Sequence, residues 1–267
     1  MSKSKKWIVV GDPEQLPPFF EDFGDELLEQ FDEEEDIRPT ILDRFLKGPA
    51  ALPAASRAEM RVQHRMVEPI GELVSQCFYD GKLKSPIGSH GLDLSGKLPA
   101  PVTWYTTSAE KRREEQRHAS TFDNALEAQW IKQILDDLQS TTEQNGAQIT
   151  VAVIAGYSRQ VGRLNLMTRK YAGDWPNLSI VCNTVDAFQG KQADICIYSV
   201  VRSNLRKQFG FLREKPRLNV ALSRAKSALI IVGDHLFCQT AKAPNPFRKV
   251  IEWVEAHPGK CHLGPLQ

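Results

Sequence analysis

The chain has no apolar run long enough to cross a bilayer and no signal-peptide pattern behind Met1. Its five cysteines, Cys77, Cys182, Cys196, Cys238 and Cys261, include no C-x-x-C pair, so the common thiol frameworks for metal or redox chemistry are missing. Cys182 and Cys196 sit inside apolar, strand-like runs. Buried free thiols and a reducing, cytoplasmic setting are therefore expected, with no membrane partner. No G-x-S-x-G, H-E-x-x-H or G-x-G-x-x-G occurs, which leaves elbow-type hydrolase, zincin and dinucleotide chemistry unsupported, and no metal site is expected. No internal repeat is evident.

A phosphate-binding loop is also missing. Hydrolysis of a nucleoside triphosphate by the strand-loop-helix route needs G-x-x-x-x-G-K-[ST] and then an acidic pair for magnesium. The run GLDLSGKL, Gly91 to Leu98, fits the glycines and lysine but puts Leu98 where a hydroxyl is required. No apolar strand precedes it, and Pro99 and Pro101 forbid the helix whose amides would cradle phosphate. It reads as a surface loop.

What is present is an ordinary globular composition: 267 residues, 41% hydrophobic and 25% charged, enough to bury a sizeable core. Net charge is only +1, but its distribution is lopsided. Residues 11–60 hold 14 acidic and 4 basic side chains, whereas Tyr157 to Lys226 hold 13 basic and 4 acidic ones. The second stretch suits a surface facing phosphates, or else is ordinary solvated charge.

Periodicity predicts a buried strand over Lys6 to Val10, an acidic helix within residues 21–36, and a helix over Ile41 to Lys47 capped by Thr40. A short strand is expected over Glu59 to Gln63, a helix over Pro69 to Tyr79, and loop from Gly81 to Pro101. Beyond it the pattern alternates. Strands are expected over Val102–Thr106, Ile149–Ala155, Leu178–Cys182, Ile195–Val201 and Leu229–Val232. Helices are expected over Asp123–Gln139, Ser158–Tyr171, Leu218–Ala225 and Phe247–Ala256. Apolar strands alternating with helices indicate an α/β fold with a doubly wound, mostly parallel sheet and ligands at the strand carboxyl ends.

Four blocks punctuate this pattern: GDPEQLPP from Gly11, QHRM from Gln63, NTVDAFQGKQAD from Asn183 and RLNVALSRAK from Arg217. In identity and order they resemble motifs III to VI of superfamily 1B helicases, the Upf-like and Dna-type group, over about four fifths of the chain. The resemblance implies a RecA-like second motor domain over residues 59–260. Residues 1–58 would then be the end of the preceding RecA-like domain, so that the chain begins mid-domain, and 261–267 a tail. It further implies ATP and Mg2+ held mainly by the first domain. The implied partners are that domain, in the same gene product or as a separate subunit, and single-stranded DNA or RNA.

The residue roles follow from the same resemblance. Arg65 and Arg224 match the two arginine fingers, and a guanidinium suits that task because it stays ionised and donates two parallel hydrogen bonds. Gln15 matches the glutamine that senses the γ-phosphate, its other reading being a turn residue; Pro18 of the same block falls on the nucleic-acid side. Gln63 is a supporting residue on the nucleotide side, and His64 stands where many members carry a base-stacking tyrosine, so it either stacks or merely packs. Gln189, Gly190 and Gln192 would line the nucleotide side of their loop, with Gln192 replacing the usual glutamate. Thr184 offers a hydroxyl to a nucleic-acid phosphate. Tyr157 has two equal readings, a base stack or core packing. Arg202 and Ser203 are placed for backbone contact, and Arg217 and Lys226 read as supporting charges.

The leading expectation is an ATP-dependent helicase or translocase motor domain that is inactive alone. The alternatives are a non-catalytic nucleic-acid-binding or partner-docking module from a truncated or split motor, and an unrelated doubly wound enzyme using the same rim.

Overall fold

The computed structural model describes residues 6–16, 41–47, 51–94 and 96–266. They belong to two compact units, Met1–Met60 and Arg61–Gln267. In the first, α1 (Ile41–Leu46) matches the expected helix. Lys6 to Val10 does not match: among the described residues it pairs with no strand, and Ile8 and Val10 are 92% and 75% exposed. An apolar run becomes a strand only where a ladder partner takes its amides and a second layer covers its side chains. The acidic helix, Thr40 and Pro18 lie outside the described residues.

The second unit is built on one sheet. Its strands are β1 (Val102–Thr106), β4 (Ile149–Ala155), β5 (Leu178–Thr184), β6 (Ala193–Ser199), β7 (Ala225–Gly233) and β8 (Cys261–Gly264). Their order is β5-β4-β6-β7-β1-β8, and every pairing is parallel. Parallel strands need both faces covered, which explains the unbroken apolar runs of β4 and β7. One face packs on α3 (Ala125–Asn145) and α4 (Ser158–Lys170); the other packs on α2 (Glu68–Phe78), α5 (Lys215–Leu222) and α7 (Phe247–Ala256). Successive residues of β1 show the division. Tyr105 joins the Ile131, Leu135 and Ile197 core, whereas Trp104 meets the Phe247 ring edge-on at 6.4 Å.

The α/β, doubly wound parallel fold is the one expected. Several details differ. Residues 261–264 are not a tail: they are edge strand β8, with Cys261 buried and the strand in register with Val102 to Tyr105. Residues 59–63 make only an isolated bridge, Val62 to Lys84, because no neighbouring strand continues the ladder. Two short elements were not anticipated. A polar hairpin, β2 (Gln116–His118) and β3 (Thr121–Asp123), precedes α3, and α6 (His235–Thr240) starts on an Asp234 cap. All five thiols are free and buried, and burial pushes Cys196 up to about 12. Among the described residues no helix is long and apolar enough to cross a membrane.

Candidate functional site

The candidate residues of the second unit fall at two opposite edges of its sheet. At the amino-terminal edge, β6 and β7 begin side by side, and Ala193 N donates to Arg224 O. Their approach loops carry Gln192 and Arg224. Arg65 arrives from the segment before α2, which is anchored there by Val67 N donating to Lys226 O at 2.9 Å. Gln63 shapes that turn. Its Oε1 accepts from Arg65 N and Met66 N, and its Nε2 donates to Met66 O. The His90 ring nitrogen donates to Arg65 O at 2.7 Å.

The Arg65 guanidinium donates through Nε to Gln192 Oε1 at 3.1 Å and through Nη1 to Ser223 O at 2.9 Å. Both partners are neutral, and among the described residues no carboxylate pairs with it. Burial lowers its pKa from the ordinary value. The Arg65 side chain is thus half-buried, hydrogen-bonded on two sides and uncompensated by a carboxylate among the described residues. Arg224 meets the same serine from the other side, with Nη2 on Ser223 Oγ at 2.9 Å and Nε on Val220 O at 2.8 Å. It is 1% exposed. The two expected fingers thus converge on Ser223, but only Arg65 reaches solvent, and Arg224 lies behind it.

Two neighbouring cations are neutralised. Arg217 bonds Asp186 at 3.0 Å and Glu214 at 2.6 Å, and Lys226 bonds Asp194 at 2.5 Å. His64 is exposed, as are Gln189 and Gly190; Gly190 has φ +79° and open space around its Cβ position. Gln15 belongs to the other unit, where its Nε2 donates to Asp12 Oδ2 at 2.8 Å within a local turn.

The carboxyl-terminal edge is closed by contrast. Arg202, 6% exposed, pairs with Glu115 at 3.0 Å, donates to the Tyr157 hydroxyl at 2.8 Å, and lies 4.0 Å over the Phe122 ring. Tyr157 is 2% exposed and donates to Phe209 O, so the structure has it packed. Ser203 is buried, its hydroxyl on Asp234 Oδ2 and its amide on Glu115. Thr184 is half-buried at the end of β5, its hydroxyl accepting from Ala187 N.

Beneath these residues Glu127 is fully buried and accepts from the Ser199 hydroxyl and the Val201 amide. Burial, outweighing those hydrogen bonds, raises its pKa to about 8. Val201 has φ +71°, a strained conformation for a β-branched residue that the Glu127 contact holds in place. Gly233 must be glycine here: φ is +155°, and an added Cβ would lie 2.6 Å from Val200.

Glu115, Glu127 and Asp234 were not anticipated. For Glu127 a local signal exists: Asn124 caps α3 by accepting from Glu127 N, a capping pattern readable in D-N-A-L-E. Nothing local points to the contact with β6. Among the described residues no group of three or more His, Cys, Asp or Glu gathers to hold a metal.

A family described as AAA domain matches residues 39–236. The chain is 28% identical over 244 residues to the DNA polymerase alpha-associated DNA helicase A of Saccharomyces cerevisiae, covering 86% of this chain and 34% of that protein. It is 28% identical over 268 residues to an uncharacterized ATP-dependent helicase of Methanocaldococcus jannaschii, covering 95% and 35%. Against the Regulator of nonsense transcripts 1 of Dictyostelium discoideum it is 29% identical over 244 residues, covering 88% and 17%. The chain therefore spans about a third of the first two relatives and less of the third. The chain belongs to the AAA domain family, and its helicase relatives support a superfamily 1 helicase C-terminal domain.

Proposed function

We propose that this chain is the C-terminal motor domain of an ATP-dependent superfamily 1 helicase or translocase on single-stranded DNA or RNA. It completes a nucleotide site whose other half lies on a first RecA-like domain. The observation that supports this reading most is Arg65, a half-buried guanidinium held by Gln192 and Ser223 O with no carboxylate partner among the described residues. Its donors fit phosphate oxygens, and the first domain would hold magnesium.

The chemistry is transfer of the γ-phosphoryl group of ATP to water, in which negative charge gathers on the phosphate oxygens. Arg65 meets that charge with fixed donors, and its carriers are backbone and amide groups that need not reorganise. Gln63 sets the direction of Arg65 by bracing its turn. Arg224 holds the Ser223 hydroxyl, and a direct contact with phosphate requires it to turn out of its buried site. Thr184, at the carboxyl end of β5, would contact a backbone phosphate, whereas Arg202, Ser203 and Tyr157 hold the segment after β6. Residues 1–58 are assigned to the first domain, with Gln15 as its γ-phosphate sensor.

One observation favours a second reading, a nucleic-acid-binding module without hydrolysis: Arg224 is 1% exposed and bonded to protein oxygens. An ATPase assay with single-stranded DNA and RNA separates the two. The chain alone is expected to show no turnover, and addition of a first RecA-like domain bearing a phosphate loop is expected to restore it. Turnover by the chain alone refutes the division of labour; none in the reconstituted pair favours the binding module.

A further inference from the structure

Between α4, α3 and the β2–β3 hairpin lies an open groove of about 1090 Å³ that no motif residue lines. Its wall carries Arg159, Arg163, Arg169 and Lys170 against one carboxylate, Asp123, and a fifth cation, Lys132, that is paired with Asp136 at 2.7 Å. Asp123 is 1% exposed and is engaged by Arg163 at 3.1 Å and Arg159 at 3.6 Å. Along α4, SRQVGRLNLMTRK, there are four cations and no acid. Arg159, Arg163, Leu166 and Lys170 recur at steps of four, three and four, so they share one face, with an axial run of about 16 Å. At the far end, Arg169 and Lys170 have no carboxylate partner among the described residues.

We infer that this groove is a nucleic-acid backbone channel, distinct from the edge described above and leading away from it along α4. This rests on the nucleic-acid reading of the preceding section. A run of about 16 Å equals the axial rise of about five nucleotides of a B-form strand, each bringing one phosphate. The groove offers charge rather than stacking. Its aromatic ring, Tyr171, is already covered by Lys132 Nζ at 4.5 Å and Lys170 Nζ at 5.0 Å, so the contact is sequence-independent. The opposite end opens beside Ser158, the residue after Tyr157, which places the channel next to the strand carboxyl ends. A membrane surface fits less well, because Leu166 is the one large apolar side chain that α4 exposes strongly.

Fluorescence anisotropy with a labelled oligothymidine of about twenty nucleotides, over a salt series, tests the channel. The triple variant Arg159→Ala, Arg169→Ala, Lys170→Ala is expected to bind at least about tenfold more weakly, with the slope of log K against log salt shallower by about 2. The double variant Arg169→Glu, Lys170→Glu, which leaves Asp123 its partners, is expected to weaken binding similarly at an unchanged melting temperature. Wild-type affinity and slope in both variants overturn the channel while leaving the motor reading intact; absence of binding by the wild-type chain overturns both. Loss of binding to phosphatidylserine vesicles, with oligothymidine binding retained, also overturns it and assigns the groove to a membrane.

Discussion

The two edges of the sheet use arginine in opposite ways. At the carboxyl-terminal edge Arg202 is locked against Glu115 and the Tyr157 hydroxyl, and the buried acids Asp234 and Glu127 each have several donors. At the amino-terminal edge Arg65 is supported by a carbonyl and an amide alone. A salt-bridged, buried arginine is part of the fold. A half-buried arginine lacking an acid costs free energy in the isolated domain, and such a cost is tolerated where an arriving anion removes it.

That contrast can be broken by mutation. The largest stability effect is expected for Arg202→Ala, which leaves Glu115 buried without its charge partner and should cost about 3–5 kcal/mol in urea unfolding. A loss under about 1 kcal/mol would mean that the carboxyl-end network is as loose as the other edge. Next is Glu127→Gln. The folded pKa of Glu127 stands near 8 against an ordinary value of 4.5, so the folded chain keeps a proton that the unfolded chain releases. Wild-type stability should then fall as pH rises from 4.5 to about 8, by up to about 1.4 kcal/mol per pH unit, and level off above that. The variant should lose that slope; the same slope in both proteins contradicts the assignment. The smallest effect is expected for Arg65→Ala, whose unfolding free energy should stay within about 1 kcal/mol of wild type, since no buried acid is orphaned.

Much of the sheet was legible. Val102–Thr106, Ile149–Ala155 and Phe247–Ala256 have the expected bounds, because each is a clean apolar run or a helical repeat ended by turn residues. The hairpin escaped because its three-residue strands are too short and mostly polar to show a period, and β8 because four residues after a Pro-Gly turn carry little periodicity. Residues 6–10 misled for the converse reason: an apolar run states a preference, and the partner that would satisfy it is not encoded in the run. For the site, the motif blocks point to Arg65, Gln192 and Arg224; the structure brings Arg65 and Arg224 to Ser223 and Gln192 to Arg65. Their exposure was not legible. Whether an arginine is open or locked depends on partners far along the chain, as with Arg202 and Glu115, which lie 87 residues apart.

On the motor reading, Arg65 acts on a phosphate rather than on the fold. The most direct test is the ATP turnover of Arg65→Ala, measured at saturating single-stranded nucleic acid after the chain is combined with a first RecA-like domain. The prediction is a loss of about 10³-fold or more in kcat with nucleic-acid affinity unchanged. Turnover at the wild-type rate would contradict it.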